Sequence, residues 1–566
     1  MPWNSLTPVF APIRTIAAAL LLAAAVAAAA AGAARAQELP DAALNRLLAE
    51  ARSTVPAECS RPGIDRLMRI LCTGRIRIGV REYYPQFGVI SGNERHGYEI
   101  DVARAIAGRL GIAIDFEKVK AATRIPMLAN DQVDLTIATM GHNMERDGQV
   151  RFIRPHYYRS ETTIVGPRDL AVASWADLTG KTVCATVGNG SNAQLVLHDA
   201  HLMLFDDADE LAARLDDDTC ALAAQDDSFF AYYFTQPGFA ERFSQKFGFA
   251  QLPWGMAVAR DASDRLARAL DLISQIFHRD GVFLGFARAN RLATAFLEEQ
   301  QAVWAKPGCN TAVGSSNPAC ILPPFNPALP ATPFAGNVNA FEAWFAALTG
   351  VELVLPMLKT VPAWSLFLNG MVNSLVLVLG TLAATLAFAL LFGAMLGSHY
   401  RMLRWPARAA TVTLQSSPIV LTLVVAAALM HAIFPYSAAM AMSAAILALG
   451  LTNGGNAGQA ISEAMATVRA EHAVAPLAGM AIFYRTLVRS ATQIMAFLVN
   501  AAKGTPIAAF IGAPELLSAL TDITSFSSGR ATTYTLLLIF YTAVVMVVVW
   551  GCGHVRIVLE RRHLPA

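Results

Sequence analysis

The first half of the chain alternates short strand-like runs with helical patterns. In RIRIGV, from Arg75 to Val80, apolar and polar residues alternate with the period of two that is typical of a β-strand. Similar runs follow in IAIDFEKV, VDLTIATM, KTVCATV and CALAAQ. Between them lie helical patterns such as YEIDVARAIAGRL, whose apolar residues share one face: Ile100, Ala103, Ile106, Ala107 and Leu110. This order predicts βαβ units with largely parallel sheets, arranged in two lobes.

Long apolar runs dominate the chain after Trp364. Five of them are close to or above the roughly 20 residues that a helix needs to cross a bilayer. We expect membrane spans at about Leu366–Ser398, Thr411–Phe434, Ala438–Ala457, Val488–Phe510 and Tyr534–Val555. Arginines concentrate in the loops after the first and third runs and in the C-terminal tail. Under the positive-inside rule, this asymmetry fits an odd number of spans with the first half of the chain outside.

Composition supports both a membrane half and an exported half. Hydrophobic residues make up 55% of the 566 residues and charged residues 15%, a balance too apolar for a soluble protein. Arg14 precedes an apolar run from Thr15 to Gly32, and ARAQ offers a cleavage site after Ala36. We therefore predict a signal peptide over residues 1–36, with an uncleaved anchor as the alternative. The net charge of +2, without a dense Lys/Arg run, argues against nucleic acid as a partner.

Cysteine usage also indicates export. Six of the seven cysteines precede the apolar half, and an even number in an exported segment suggests disulfides. Six cysteines allow fifteen pairings. Proximity along the chain favours Cys59–Cys72 and Cys309–Cys320, which leaves Cys184–Cys220. No CxxC pair with zinc spacing occurs in the sequence, so we expect no metal site.

Composition shifts divide the chain into four parts. From about Ala305 the sequence becomes rich in Pro, Asn, Gly and Ser, which is typical of a linker. We predict a globular domain over 38–301, a Pro-rich linker over 302–363 and a membrane domain over 364–566. Within the globular part, the acidic run Asp206–Asp218 is interpreted as a solvated helix face.

Several strings of the globular part occur together in the order and spacing of one family. They are GVREYYPQFG, HGYEIDVARAIAGRLG, RIPMLANDQVDLTIATMGHNMERDGQVRFIRPHYY, LTGKTVCATVGNGS and CALAAQDDS. The stretch from about Arg75 to Ala289 thus resembles the periplasmic amino-acid-binding proteins of ABC importers. The resemblance implies a type II periplasmic-binding-protein fold, in which two hinged α/β lobes close on the ligand.

An amino-acid ligand sets simple requirements on such a cleft. Its α-carboxylate and α-ammonium group lose hydration free energy on burial unless each meets a counter-charge. A guanidinium fork suits the carboxylate because it binds both oxygens. The resemblance places the carboxylate-binding arginine at Arg146 and further ligand contacts at Thr139 and Gly141. The family often has Ser or Thr where Gly141 stands, so at this position a backbone NH is the available donor.

The ammonium group needs a carboxylate. The resemblance places it at Asp226, with Asp227 as the alternative, and it puts the partner of Cys220 in the KTVC strand, at Cys184. The Gly-rich turn VGNGSN precedes a helical run, so its NH groups and the Ser191 hydroxyl could face the ligand carboxylate. An ordinary turn with a helix N-cap is the other interpretation.

Two further arginines are candidates for contact with the ligand side chain. VREYYPQF and RIPML are similar to VRESSPPF and RIPLL in the glutamate/aspartate-binding branch. This resemblance implies that Arg81 and Arg124 meet a second carboxylate and that Tyr84 walls the cleft, although tyrosines replace small serines here. The structural alternative is that Arg81 pairs with Glu82 or Asp101.

The membrane half resembles the permease subunits of polar-amino-acid ABC importers, a type I importer fold. The strings that carry this are FLNGMVNSLVLVLGTLAATLAFALLFGAMLG, SSPIVLTL and AAKGTPIAAFIGAPELL. In such permeases a cytoplasmic EAA-x-x-x-G helix docks into the ATPase. Here AVAPLAGMAIFYRTLVRSA keeps Gly479 six residues after Ala473 but lacks the glutamate, and Arg485 lies in the same loop. The docking helix is therefore degenerate, and Pro476 would weaken it further unless it lies in the first turn.

Together these resemblances predict a fused binding-protein and permease subunit in a bacterial inner membrane, with its N-terminal domain in the periplasm. The chain contains no GxxxxGK[ST] string, so transport requires a separate ATPase, and five spans suit a homodimer or a heterodimer of permeases. No cofactor and no enzyme activity are expected. The alternative is a tethered amino-acid receptor that does not transport. A glutamate-receptor-type channel is disfavoured because both lobes precede the spans.

Overall fold

The computed structural model describes residues 38–55, 58–59, 63–260, 264–434, 437–472 and 479–561. The predicted signal peptide and Ala473 lie outside these residues. The chain forms two compact units. The first comprises the residues up to Asp177, Cys184–Asn189 and Phe205–Pro327, and the second comprises Leu178–Val183, Gly190–Leu204 and the residues from Ala328. The boundary near Pro327 lies inside the segment predicted as a linker.

Short helices and strands alternate up to Pro327. In chain order they are α1 (Pro40–Ser53), α2 (Arg66–Thr73), β1 (Arg75–Val80), β2 (Tyr83–Tyr84), β3 (Gly88–Ser91), β4 (Glu94–His96), α3 (Tyr98–Leu110), β5 (Ala113–Lys118), α4 (Arg124–Ala129), β6 (Leu135–Ile137), α5 (Met144–Asp147), β7 (Val150–Phe152), β8 (Tyr158–Pro167), β9 (Thr182–Thr186), α6 (Asn192–Leu197), β10 (His201–Phe205), α7 (Asp209–Asp216), β11 (Leu222–Asp226), α8 (Asp227–Tyr233), α9 (Phe239–Arg242), β12 (Phe243–Trp254), β13 (Ala257–Ala259), α10 (Asp264–Arg279), α11 (Val282–Ala289) and α12 (Ala295–Trp304). Short 3₁₀ turns occupy Trp175–Leu178 and Gly314–Ser316.

The first sheet is the part of the fold that the hydrophobic pattern predicts best. Its order is β5-β1-β6-β13-β7, and β1 pairs in parallel with β5 and β6. Ile76, Ile78 and Val80 of β1 are fully buried. The predicted face of α3 is buried as well. The strand at 75–80 and the helix at 98–110 are thus confirmed.

The prediction of largely parallel sheets is wrong for part of the second sheet. Three of its strands, β11, β8 and β12, lie wholly in the first unit. Strand β8 lies between β11 and β12 and pairs with both in the antiparallel direction. Strand β12 has register shifts between Gln245 and Gly248 and between Phe249 and Gln251. The period of two marks a strand but carries no information on the direction of its neighbour, which only the chain path decides.

The second unit is helical from Ala335 onward. Its helices there are α13 (Ala335–Thr349), α14 (Val361–Leu396), α15 (Arg401–Ser416), α16 (Ile419–His431), α17 (Ala438–Glu471), α18 (Gly479–Gly504), α19 (Leu516–Phe526) and α20 (Arg530–Arg561), with 3₁₀ turns at Pro356–Leu358 and Thr505–Ile511. Within the described residues, four helices are long and apolar enough to cross a membrane: α14, α17, α18 and α20.

The second predicted span, Thr411–Phe434, is not one helix. Most of its residues are divided between α15 and α16, and the chain bends by 118° between these two helices. The break is at Ser417–Pro418, both with extended backbone angles. Proline has no NH for the helix ladder and disfavours helical angles in the residue before it, so the chain turns there. In the part of this half that the structure describes, there are therefore four helices of membrane-spanning length plus one bent pair.

Small residues set the packing of the two longest helices. Gly450, Gly454 and Gly458 recur every fourth residue on one face of α17. A methyl group at these positions would lie 2.5–2.6 Å from Ala384, Phe388 and Phe392 of α14. Spacing of small residues by four lets helix backbones approach closely in a bilayer.

Candidate ligand-binding site

A pocket in the first unit brings most of the predicted ligand contacts together. Seven of the eight candidates line it: Arg81, Tyr84, Arg124, Thr139, Gly141, Arg146 and Asp226. The remaining lining residues are Ala121, Thr186, Asn189, Gln225, Leu252 and Trp254. Ser191, the eighth candidate, is buried at the start of α6 and is not among the residues that line the pocket.

Arg146 is positioned by backbone groups. Its own NH donates to the Asn143 side chain, which caps the short helix α5 (2.9 Å). Its guanidinium donates to the carbonyl of Gly141 at 2.8 Å and to that of Gly188 at 2.7 Å. Burial lowers the pKa of Arg146 from its usual value. Two carbonyls hold the fork in place without neutralising it, so it can bind an anion.

The backbone at Gly141 lies close to the pocket wall, and a side chain at this position would collide with that wall. A methyl group on Gly141 would lie 2.6 Å from Leu252 Cδ2. Thr139, two residues earlier, has φ = 45°, a left-handed conformation that is rare for a β-branched residue. Its NH donates to Glu99 Oε1 at 2.5 Å. Such a strained conformation persists only where the surrounding contacts hold it.

The carboxylate of the pocket is Asp226. It ends strand β11, and its Oδ2 accepts a hydrogen bond from the Tyr84 hydroxyl at 2.8 Å. Burial raises the pKa of Asp226 to about 6. The alternative, Asp227, accepts from the backbone NH groups of Ser228 (2.7 Å) and Glu161 (3.1 Å) and lines a different cavity. The structure therefore places Asp226, and not Asp227, at the pocket.

Arg124 carries a second charge without a carboxylate partner in the described part of the chain. Its Nη1 donates to the carbonyls of Ala138 (2.6 Å) and Thr139 (3.0 Å), while its Nε has no partner there. Burial lowers the pKa of Arg124 well below its usual value, and the positive charges of Arg146 and Arg81 add to this. A ligand carboxylate would relieve both effects.

Arg81 has a partner that the sequence did not indicate. Its Nη2 donates to Asp207 Oδ1 at 2.5 Å, and its guanidinium lies 5.3 Å from the centre of the Tyr84 ring. The alternative pairing with Glu82 or Asp101 is wrong. Glu82 pairs with Arg95 at 2.6 Å, and Asp101 accepts from Asn290 at 2.9 Å.

The acidic run that contains Asp207 is not simply a solvated helix face. Asp207 is only 8% exposed and precedes the helix, which begins at Asp209. Its neighbour Asp206 contacts the Lys120 ammonium group. Nothing in the local pattern distinguishes a buried acid in such a run, because its partner lies 126 residues away in the chain.

The sequence did not indicate two further features of the pocket, a chain of hydrogen-bonded polar side chains (the polar chain) and a tryptophan in its wall. Gln225 donates to the Thr186 hydroxyl at 3.0 Å and accepts from Asn189 at 3.2 Å. Its position next to Asp226 was an available signal. Trp254 packs against Tyr84 with ring centres 6.2 Å apart. No motif marked Trp254, which reaches the pocket as the last residue of β12.

Three disulfides are present: Cys59–Cys72, Cys184–Cys220 and Cys309–Cys320. Cys184 lies in β9, shortly before Thr186 and Asn189, and Cys220 lies shortly before β11. This bond therefore joins the segments that carry the polar chain and Asp226. It limits the number of unfolded conformations from which this side of the pocket must assemble.

At the predicted coupling loop, side chains join α17 to α18. Gly479 is the first residue of α18. Arg485 contacts His472, and Arg489 pairs with Glu471 at 2.7 Å. These contacts lie on both sides of the segment that includes Ala473, which is outside the described residues.

One family model matches a range that contains the residues of the pocket. Residues 76–329 match the model of bacterial extracellular solute-binding proteins, family 3. The chain is similar to "ABC transporter arginine-binding protein 1" of Escherichia coli strain K12, with 31% identity over 128 residues, which is 22% of this chain and 51% of that protein. It is also similar to "Glutamine-binding protein" of Geobacillus stearothermophilus, with 28% identity over 161 residues, 27% of this chain and 61% of that protein. The chain spans about half the length of the curated relatives it matches.

Solved structures also resemble part of this chain. One is described as an ancestral arginine-binding protein bound to arginine (25% identity, 38% of this chain, 97% of that chain, TM-score 0.36). Another is a cysteine-binding protein from Campylobacter jejuni (23% identity, 40% of this chain, 93% of that chain, TM-score 0.38). The fold is that of type II solute-binding proteins, followed by an all-helical region with several apolar helices of membrane-spanning length.

Proposed function

We propose that the pocket binds a free amino acid and that the membrane half moves it across the bilayer as an ABC permease driven by a separate ATPase. One observation carries the binding proposal. Arg146 and Asp226 have opposite charges, line the same pocket and, among the described residues, form no ion pair with another side chain. They are matched counter-charges for the α-carboxylate and the α-ammonium group of the ligand.

The charges of the pocket favour an acidic ligand such as glutamate or aspartate. Asp207 neutralises Arg81, and Asp226 balances one of the two remaining arginines, Arg124 and Arg146. One positive charge is left over, and a zwitterion does not compensate it. Glu99, behind Thr139, compensates little because burial raises its pKa. A second ligand carboxylate at Arg124 supplies the missing counter-charge.

Calorimetry on the full chain in detergent tests this assignment. We expect glutamate and aspartate to bind more tightly than glutamine. Arg146→Ala should weaken binding by about 2–5 kcal/mol, because it leaves the ligand carboxylate buried and unpaired. The matched control is Arg288→Ala, whose side chain is 63% exposed and paired with Glu298, and it should leave binding unchanged.

The possible outcomes separate the parts of the proposal. If no amino acid binds, the pocket assignment is wrong. If glutamine or arginine binds more tightly than glutamate, the site remains but its acidic selectivity is refuted. Transport is tested by uptake of labelled ligand into vesicles that contain the chain and a co-purified ATPase. Binding without uptake and without an associated ATPase would instead favour a receptor, as the degenerate coupling loop suggests.

A further inference from the structure

The segment before the first span contains a helix with an exposed aromatic face. Phe341, Trp344 and Leu348 of α13 recur at the three- and four-residue spacing of a single helix face. Their side chains are 46%, 58% and 66% exposed. Glu342 is the only charged residue of the helix sequence AGNVNAFEAWFAALT. A contiguous apolar face of this kind marks an interaction surface.

Three contacts tie this helix to the start of α14. Glu342 accepts from the Lys359 ammonium group and from the Leu355 NH, both at 2.6 Å. Just before the helix, the ring of Phe334 packs edge-on against Trp364, with ring centres 5.2 Å apart. Because Lys359 and Trp364 flank the first residue of α14, the first half of α13 is held at the level where that span begins.

The length of α14 is sufficient for its first residues to reach the membrane boundary. Its 36 residues extend about 54 Å, which exceeds the roughly 40–45 Å of a bilayer with its headgroups. The apolar surface of α14 remains exposed from Val361 (41%) through Val372 (57%) to Leu379 (66%). An apolar surface exposed over this length is one that lipid would cover if α14 spans a bilayer. Tryptophan is enriched at this depth because its ring is apolar and its NH is polar.

We propose that α13 lies in the interface of the bilayer, with Phe341, Trp344 and Leu348 inserted among the lipids beside the first span. This extends the membrane contact of the chain by an in-plane helix. The helix sequence has no basic residue, so the contact is apolar and does not require anionic lipid. A second copy of the chain is the competing occupant of the same face.

The test uses the full chain in phosphatidylcholine vesicles. In a Cys552→Ser background, Trp344→Cys is labelled with the environment-sensitive dye NBD. Asn339→Cys is the matched control, because Asn339 is exposed on nearly the opposite side of α13. We expect blue-shifted emission at position 344 and quenching several-fold stronger than at position 339. A nitroxide near the lipid headgroup should quench more than one deep in the acyl chain, and added salt should change nothing.

Two results would overturn the proposal. Equal, water-like emission at both positions would mean that the face is solvated. A blue shift at position 344 without nitroxide quenching, lost when the protein is diluted with excess lipid, would mean that a second copy covers it. If Trp344→Cys fails to insert, Leu348→Cys decides by the same criteria.

Discussion

Replacing Asp207 by asparagine tests whether a buried ion pair determines the choice of ligand. The Arg81 and Asp207 side chains are 4% and 11% exposed, and their charged atoms are 2.5 Å apart. Removing one partner of such a pair leaves the other charge buried and uncompensated, which costs about 3–5 kcal/mol. For a domain of this size we expect the melting temperature to fall by about 6–20 °C.

The same change should alter selectivity. Asp207→Asn leaves Arg81 as an uncompensated cation in the pocket, and a second ligand carboxylate can replace the lost partner. If it recovers even about 1.4 kcal/mol of the lost interaction, the preference for glutamate over glutamine increases about tenfold. Calorimetry with both ligands measures this ratio directly. The double variant Arg81→Gln with Asp207→Asn should regain part of the stability and lose the increased preference.

A surface pair provides the control. Arg288 and Glu298 are 3.1 Å apart but 63% and 52% exposed, so Glu298→Gln should change stability by less than about 1 kcal/mol. If Asp207→Asn lowers the melting temperature no more than Glu298→Gln and leaves the glutamate-to-glutamine ratio unchanged, the reasoning about this pair is refuted.

Three further outcomes are expected. Because burial raises the pKa of Asp226 to about 6, its carboxylate is lost as pH falls through that value, and ligand affinity should drop about tenfold per pH unit below it. Asp226→Asn should bind the ligand weakly, with an affinity that does not change with pH. A wild-type affinity that is constant between pH 5 and 7 would contradict the assignment of Asp226 to the ligand. Gly188→Ala should weaken ligand binding at least tenfold, since its methyl group would lie 2.9 Å from the backbone of Ala121. Gly92 has a similar positive φ but open space around it, so the control Gly92→Ala should affect stability alone. Arg124→Gln should weaken glutamate binding more than glutamine binding, and equal losses in titrations of both ligands would assign Arg124 a structural role.

Local pattern was sufficient for features that depend on near neighbours in the chain. Strand β1 and the buried face of α3 follow from apolar periodicity, because each side chain's burial is determined by its position on the element. The long apolar helices follow in the same way from their length and composition. Motif resemblance also indicated seven of the residues that line the pocket, although it carried no information on their hydrogen bonds.

Tertiary structure decided what depends on distant partners. The burial of Asp207 follows from a contact with Arg81, 126 residues earlier, and the acidic run around it contains no sign of that. Likewise, Asp226 and Asp227 are adjacent and chemically identical. Strand β11 ends at Asp226, which accepts from Tyr84, whereas Asp227 begins α8 and accepts from backbone NH groups. A sequence specifies which groups carry charge, but the free energy of a charge depends on what surrounds it, and only the folded chain determines those surroundings.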